Sequence, residues 1–103
     1  MYKVYFIEQK IKGKKGVKPV KVGYSKDPEV RLRSLQTGSP TKLRIVRTIE
    51  LESKRDAEVL EHCMHSLAKK KHRKLEGEWF FIYGDWNIFI RESFKLAGLT
   101  PSK

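Results

Sequence analysis

Tyr5 and Lys21 bring a phenol and an ammonium group to the first two strand-like segments of the sequence. Because side chains alternate between the two faces of a strand, Tyr5, Lys21 and Gly23 are predicted to share one face of a sheet. Gly23 leaves room beside them for a bulky group to approach. Taken singly, a half-covered strand tyrosine and a solubilising edge lysine are the ordinary explanations. The neighbours expected on the core-facing side are Val4, Phe6, Val20 and Val22.

A carboxylate stands at the margin of a predicted apolar helical stripe. Glu61 falls within the arc that runs from Ala57 to Ala68, where burying an unpaired charge is costly. A protein cation or a metal ion should therefore face it. The structural alternatives are a pair with His65 at i, i+4, or a buried bridge to Arg31, which lies next to the buried side of the preceding helix. His65 is expected to steady Glu61 or a nearby backbone group rather than to bind a metal ion.

The elements that must position these residues follow from the sequence pattern. The β-rich segments Tyr2–Ile7 and Pro19–Tyr24 predict an antiparallel hairpin with a long loop. Asp27 as N-cap and Pro28 at the first helical position predict a helix that ends near Gly38. The other predicted elements are a strand over Lys42–Leu51, a helix from the Ser53 cap to about Lys70, and a helix from the Asp85 cap to about Ala97.

These elements predict an α+β fold with a three-stranded antiparallel sheet flanked by helices. The 103 residues fit one compact domain, so we expect a single domain over residues 1–103. Cys63 is the one cysteine in the sequence, which excludes an internal disulfide and a zinc cluster built from cysteines. No apolar run approaches the roughly 20 residues of a spanning helix, and the N-terminus does not have the form of a signal peptide. We expect a cytoplasmic protein.

The strong positive charge indicates a polyanionic partner. The formal net charge is +11 and the isoelectric point is near 9.9, which favours nucleic acid over an anionic membrane. Runs of charge are usually solvated surface, but in so basic a chain we expect the two lysine-rich segments to clamp a phosphate backbone without reading sequence. The candidate nucleic-acid-binding residues are Lys12, Lys14, Lys15, Lys18, Arg33, Lys69, Lys70, Lys71 and Arg73.

Five sequence blocks, in this order and spacing, resemble the motifs of the GIY-YIG nuclease superfamily, and in particular its short phage branch, the T5-phage open-reading-frame type. The resemblance runs over about residues 2–82 and leaves the last predicted helix outside. The blocks are KVYF at Lys3–Phe6, KVGYS at Lys21–Ser25, RLRSLQTGSP from Arg31, AEVLEHCMH from Ala57 and GEWF from Gly77.

The resemblance implies metal-dependent hydrolysis of phosphodiester bonds in DNA with low sequence specificity, and leaves RNA open as a substrate. It implies that Glu61 holds one Mg²⁺ or Mn²⁺ ion, that Arg31 holds the scissile phosphate, and that Tyr5 helps to deprotonate a water molecule. A free phenol has a pKa near 10, and a neighbouring ammonium favours its deprotonation. Lys21 is therefore expected to lower the pKa of Tyr5.

Some positions depart from the superfamily pattern. Leu35 stands where many relatives have a histidine or tyrosine, so Tyr24 is the candidate for that proton-transfer role. The GEWF block stands where an asparagine is expected. Within it, Glu78 is predicted to be a surface or capping carboxylate, and Trp79 and Phe80 to be core residues. The sequence leaves open whether the chain is a monomer or a homodimer. The alternative function is an inactive basic module that binds nucleic acid or a host protein.

Overall fold

The computed structural model describes residues 1–10 and 18–101, which form a five-stranded antiparallel sheet with helices on both faces. The strands are β1 (Tyr2–Lys10), β2 (Val20–Ser25), β3 (Lys42–Leu51), β4 (Arg73–Lys74) and β5 (Trp79–Phe81). Their order across the sheet is β3-β1-β2-β5-β4. Strand β1 pairs with β3 along its whole length and with all of β2.

The prediction of a three-stranded sheet is wrong, although the α+β class holds. The two missed strands, β4 and β5, have two and three residues. The turn between them contains Gly77, whose backbone φ of +69° favours glycine. Segments this short cannot display the alternation of apolar and polar residues by which a strand is recognised in sequence.

The three predicted helices are confirmed, and so are their caps. The side chain of Asp27 accepts hydrogen bonds from two backbone N–H groups of the first turn, and Ser53 and Asp85 each accept one. No helix among the described residues is long and apolar enough to cross a bilayer. The helices are α1 (Pro28–Thr37), α2 (Lys54–Lys71) and α3 (Trp86–Ala97).

The sheet separates a large core from a small one. The large core lies under α2 and α3, and it contains the strand residues that alternation assigned to it. The small core lies on the opposite face under α1, where Leu32 and Leu35 pack against Tyr5, Ile7 and Leu43. The residues of the large core include Val4, Phe6, Val20, Val22, Leu60, Met64, Phe80 and Phe89. The predicted placement of Tyr5 on the face away from this core is therefore confirmed.

Candidate active site

The candidate site lies where the pairing between β2 and β5 stops. β5 pairs with β2 at Val20 and Lys21 alone. Beyond these residues α2 approaches β2, and the Nε2 atom of His65 donates a hydrogen bond to the Val22 carbonyl oxygen at 2.7 Å. Glu61 lies one turn before His65 on the same helix. At this opening, side chains of α2 can reach residues on the α1 face of the sheet.

Tyr5 lies across β2 in the space above Gly23. The two residues are directly paired between β1 and β2, and Tyr5 is 3% exposed. A Cβ atom added to Gly23 would lie 2.4 Å from the Tyr5 hydroxyl oxygen, closer than real Cβ contacts allow. The bulky group that Gly23 admits is thus the phenol of Tyr5 itself. Any side chain at this position would displace the hydroxyl.

Arg31 faces the Tyr5 hydroxyl from α1. Burial raises the pKa of Tyr5, and hydrogen bonding and positive charge from Arg31 oppose that rise. The C-terminal end of α1 is fixed to β3, because the Gln36 side chain accepts a hydrogen bond from the Leu43 N–H at 2.7 Å and donates one to the Thr41 carbonyl. Arg31 remains exposed while its helix is anchored. Its guanidinium is therefore available to an anion that approaches Tyr5.

Lys21 is bound to Glu78, not to Tyr5. Its Nζ atom donates to Glu78 Oε2 at 3.1 Å and lies 5.9 Å from the centre of the Trp79 ring. The expectation that Lys21 lowers the pKa of Tyr5 is wrong, since that pKa is raised and Arg31 supplies the opposing charge. The expectation that Glu78 is a surface carboxylate is confirmed, since its side chain is 53% exposed. Glu78 also neutralises a buried ammonium group beside the site.

Glu61 has a strongly perturbed carboxyl group. Burial, followed by the negative charge of Glu78, raises its pKa to about 7, while Lys21 opposes the rise. Among the described residues, Arg31 forms no ion pair with Glu61, so the predicted buried bridge is wrong. The other expected partner, His65 at i+4, lies beside Glu61, with its Nδ1 atom 4.0 Å from Glu61 Oε1. The Glu61 side chain is 19% exposed, which leaves it accessible from one direction.

The Glu61 carboxylate is suited to be the protein ligand of a divalent metal ion. No group of three or more His, Cys, Asp or Glu side chains among the described residues is arranged as a metal cluster. A Mg²⁺ ion does not require one, because it usually binds one or two carboxylates and completes its shell with water and phosphate oxygens. An open cavity of about 520 Å³ adjoins Glu61 and gives space for such ligands. The raised pKa indicates a carboxylate that gains from a nearby cation.

Comparison with protein families found a match that covers most of the chain. A family model described as the T5orf172 domain matches residues 3–93. The chain belongs to the T5orf172 domain family. Comparisons with curated proteins and with solved structures found no match. The match extends into α3, beyond the range of 2–82 over which the motifs were recognised in the sequence.

Tyr24, the candidate for a second proton-transfer group, lies at the cavity of this T5orf172 domain. Its hydroxyl donates a hydrogen bond to Glu58 Oε1 at 3.1 Å. Partial burial and this bond raise the pKa of Tyr24. Tyr24 and Glu58 line the cavity together with Glu61. The arrangement brings Tyr24 near the site, with its proton engaged by a neighbouring carboxylate.

The predicted nucleic-acid-binding residues of the T5orf172 domain fall into groups with different partners. Lys12, Lys14 and Lys15 lie outside the described residues. Two other lysines face carboxylates: Lys18 lies 4.0 Å from Glu8, and Lys71 lies 2.6 Å from Glu92. Exposed cations without an ion pair among the described residues are Arg33, Lys69, Lys70 and Arg73. These four are the ones most available to a phosphate backbone.

Sequence reasoning missed the pairing of Glu78 with Lys21 in this T5orf172 domain. Glu78 immediately precedes β5, and it meets Lys21 because β5 pairs with β2 at that lysine. The short strand gave no signal in sequence, so this proximity could not be predicted. The expectation that His65 steadies a backbone group is confirmed by its bond to Val22.

Proposed function

We propose that this T5orf172 domain is a metal-dependent endonuclease of the GIY-YIG type that hydrolyses phosphodiester bonds in DNA with low sequence specificity. One observation carries the proposal: Glu61, with its pKa raised to about 7, lies at the sheet opening beside the buried hydroxyl of Tyr5 and the exposed Arg31. The pKa of Tyr5 is raised in part by the charge of Glu61 and lowered by that of Arg31, so Tyr5 lies within electrostatic reach of both groups. Ionisable groups with perturbed pKa values that lie close together are typical of catalytic sites.

Arg31 and Tyr5 hold the scissile phosphate in the proposed reaction. The guanidinium of Arg31 can donate two hydrogen bonds to phosphate oxygens, and its helix is fixed to β3. Tyr5 is protonated at neutral pH because its pKa is raised. In this form its hydroxyl donates a hydrogen bond that orients the phosphate or the attacking water. Tyr5 can accept a proton from water only at alkaline pH, or when added positive charge lowers its pKa.

Glu61 is the anchor for the metal ion. A Mg²⁺ or Mn²⁺ ion held by Glu61 would supply positive charge to stabilise the leaving oxygen and the charge that develops on the phosphoryl group. The carboxylate must be ionised to bind it, and the negative charge of Glu78 nearby favours a cation at the site. The Lys21–Glu78 pair fixes the wall of the site next to Glu61.

The surface charge supports DNA as the substrate. A net charge of +11 on 103 residues gives a strong, sequence-independent attraction to the phosphate backbone. Lys69 and Lys70 lie on α2 about 12 to 14 Å beyond Glu61, at the rise of a regular helix. They can contact phosphates next to the one that is cut. Contacts of this kind position the DNA without reading bases, so low sequence specificity follows.

A nicking assay on supercoiled plasmid tests the proposal. The parent protein is expected to nick the plasmid with Mg²⁺ or Mn²⁺ and to be inactive in EDTA. Glu61→Gln keeps nearly the same shape but cannot bind the ion, so nicking should fall by at least about 100-fold while DNA binding survives or tightens. The matched control Glu50→Gln removes an exposed carboxylate on β3 and should leave the rate unchanged. A parent that binds DNA but never nicks it would replace the nuclease with a basic binding module.

A further inference from the structure

His65 presents one defined nitrogen to Glu61. Its Nε2 atom lies 2.7 Å from the Val22 carbonyl oxygen, and a carbonyl can only accept a hydrogen bond. Nε2 therefore carries a hydrogen. In the neutral ring, Nδ1 then carries the lone pair, and this atom lies 4.0 Å from Glu61 Oε1. The bond to Val22 fixes both the tautomer and the direction of the ring.

In that tautomer, and with Glu61 ionised, two groups that can only accept face each other across a short gap. A lone pair on Nδ1 gains nothing from the ionised carboxylate of Glu61 4.0 Å away. A cation between the two atoms would satisfy both. Two ligands that each lie about 2.1 Å from a shared ion are roughly 3 to 4.2 Å apart, so the observed separation is within range. Both side chains are mostly buried, at 17% exposed for His65 and 19% for Glu61.

The contacts around His65 have the form of a metal-binding histidine. Such a histidine usually donates its second ring N–H to a backbone carbonyl or a carboxylate, which orients the ring and raises its basicity. The bond from Nε2 to Val22 is a contact of this kind. The ring is also held from the side by Phe80, whose centre lies 5.2 Å from that of His65. These two contacts hold the ring in an orientation that keeps Nδ1 on the side of Glu61.

We propose that Nδ1 of His65 is a second protein ligand, beside Glu61, for the divalent metal ion of this site. The inference rests on the proposed function in that Glu61 holds the ion. An imidazole ligand favours first-row transition ions over Mg²⁺, which prefers oxygen. The site is therefore built to bind Mn²⁺ or Co²⁺ more tightly than Mg²⁺.

The direct test is pulsed electron paramagnetic resonance of Mn²⁺ bound to the full chain without DNA. Echo modulation from a coordinated ¹⁴N nucleus is expected for the parent protein. His65→Gln should abolish it, because the glutamine amide can still donate to Val22 but has no nitrogen lone pair to offer. Mn²⁺ affinity, measured by titration, should fall by about tenfold or more in this variant, and Mg²⁺ affinity should fall less.

The matched control is His62→Gln, which removes an exposed histidine that lines the same cavity next to Glu61. It should leave the nitrogen modulation and the Mn²⁺ affinity unchanged. Mn²⁺ binding that depends on Glu61 but shows no nitrogen coupling in the parent would overturn the His65 inference and leave the nuclease proposal intact. An equal loss in the His62 variant would overturn it too. Absence of both Mn²⁺ binding and plasmid nicking would remove both proposals.

Discussion

Replacing Glu61 by glutamine is expected to stabilise the protein in the absence of metal, by an amount that grows as the pH rises from about 4.5 to about 7. The pKa of Glu61 rises from 4.5 to about 7 on folding, so the folded state holds the proton more tightly. Between these two values the stability falls as pH rises, and above about 7 the full cost of the ionised carboxylate is present. Glutamine carries no charge and avoids this cost.

The magnitude follows from the size of that change. A difference between 4.5 and about 7 corresponds to about 3.4 kcal/mol of unfolding free energy. Partial exposure of the carboxylate reduces this, so we expect Glu61→Gln to gain about 1 to 2 kcal/mol at pH 8. For a domain of this size the melting temperature should rise by at least about 4 °C. At pH 4.5 the gain should be less than about 0.5 kcal/mol, because the folded parent is already protonated.

The assay is thermal or urea unfolding in EDTA at pH 8 and pH 4.5, with Glu50→Gln as the exposed control. Adding Mn²⁺ at pH 8 should stabilise the parent and not Glu61→Gln, since the ion binds the folded parent alone. A Glu61→Gln protein that is less stable than the parent at pH 8 would refute the reasoning. That result would mean that a protein cation, His65 or Lys21, already neutralises the carboxylate.

Two further predictions concern the position of Tyr5 and the DNA-binding surface. Gly23→Ala should displace the Tyr5 hydroxyl, from which the new Cβ would lie 2.4 Å, and should lower the nicking rate about 100-fold with DNA affinity unchanged. Gly38→Ala, where nothing lies within 4 Å of an added Cβ, is its control and should keep the parental rate. Replacing Lys69 and Lys70 by alanine should flatten the slope of log affinity against log salt by about 0.9 for each phosphate that is no longer neutralised; an unchanged slope would place the DNA-binding surface elsewhere.

The sequence was sufficient where the structure depends on local chemistry. Caps at Asp27, Ser53 and Asp85 set the helix starts, because a side chain near the first turn satisfies free N–H groups there. Alternation assigned Tyr5 and its neighbours to the correct faces of the hairpin. The apolar stripe predicted on α2 placed Glu61 at the edge of the core, and the raised pKa of Glu61 agrees with that position.

The sequence was insufficient where the structure depends on long-range register. The β4 and β5 strands are too short to be recognised, and their pairing is fixed by contacts with β2 that no local pattern records. This is why the Lys21–Glu78 pair was missed, and why Lys21 was assigned to Tyr5. The direct pairing of Tyr5 with Gly23 also depends on the register of a long-looped hairpin. Proximity in the sheet, not the type of residue, decided these partners.

The most direct test of the nuclease proposal follows binding and cleavage in one sample. A fluorescently labelled duplex is mixed with the protein in EDTA, binding is recorded by anisotropy, excess Mn²⁺ is added, and the strands are separated on a denaturing gel. We expect the parent to bind the intact duplex in EDTA and to cut it after Mn²⁺ is added, and Glu61→Gln to bind equally well but leave it intact. A duplex that the parent binds and leaves uncut with Mn²⁺ or Mg²⁺ between pH 7 and 9 would contradict the nuclease proposal.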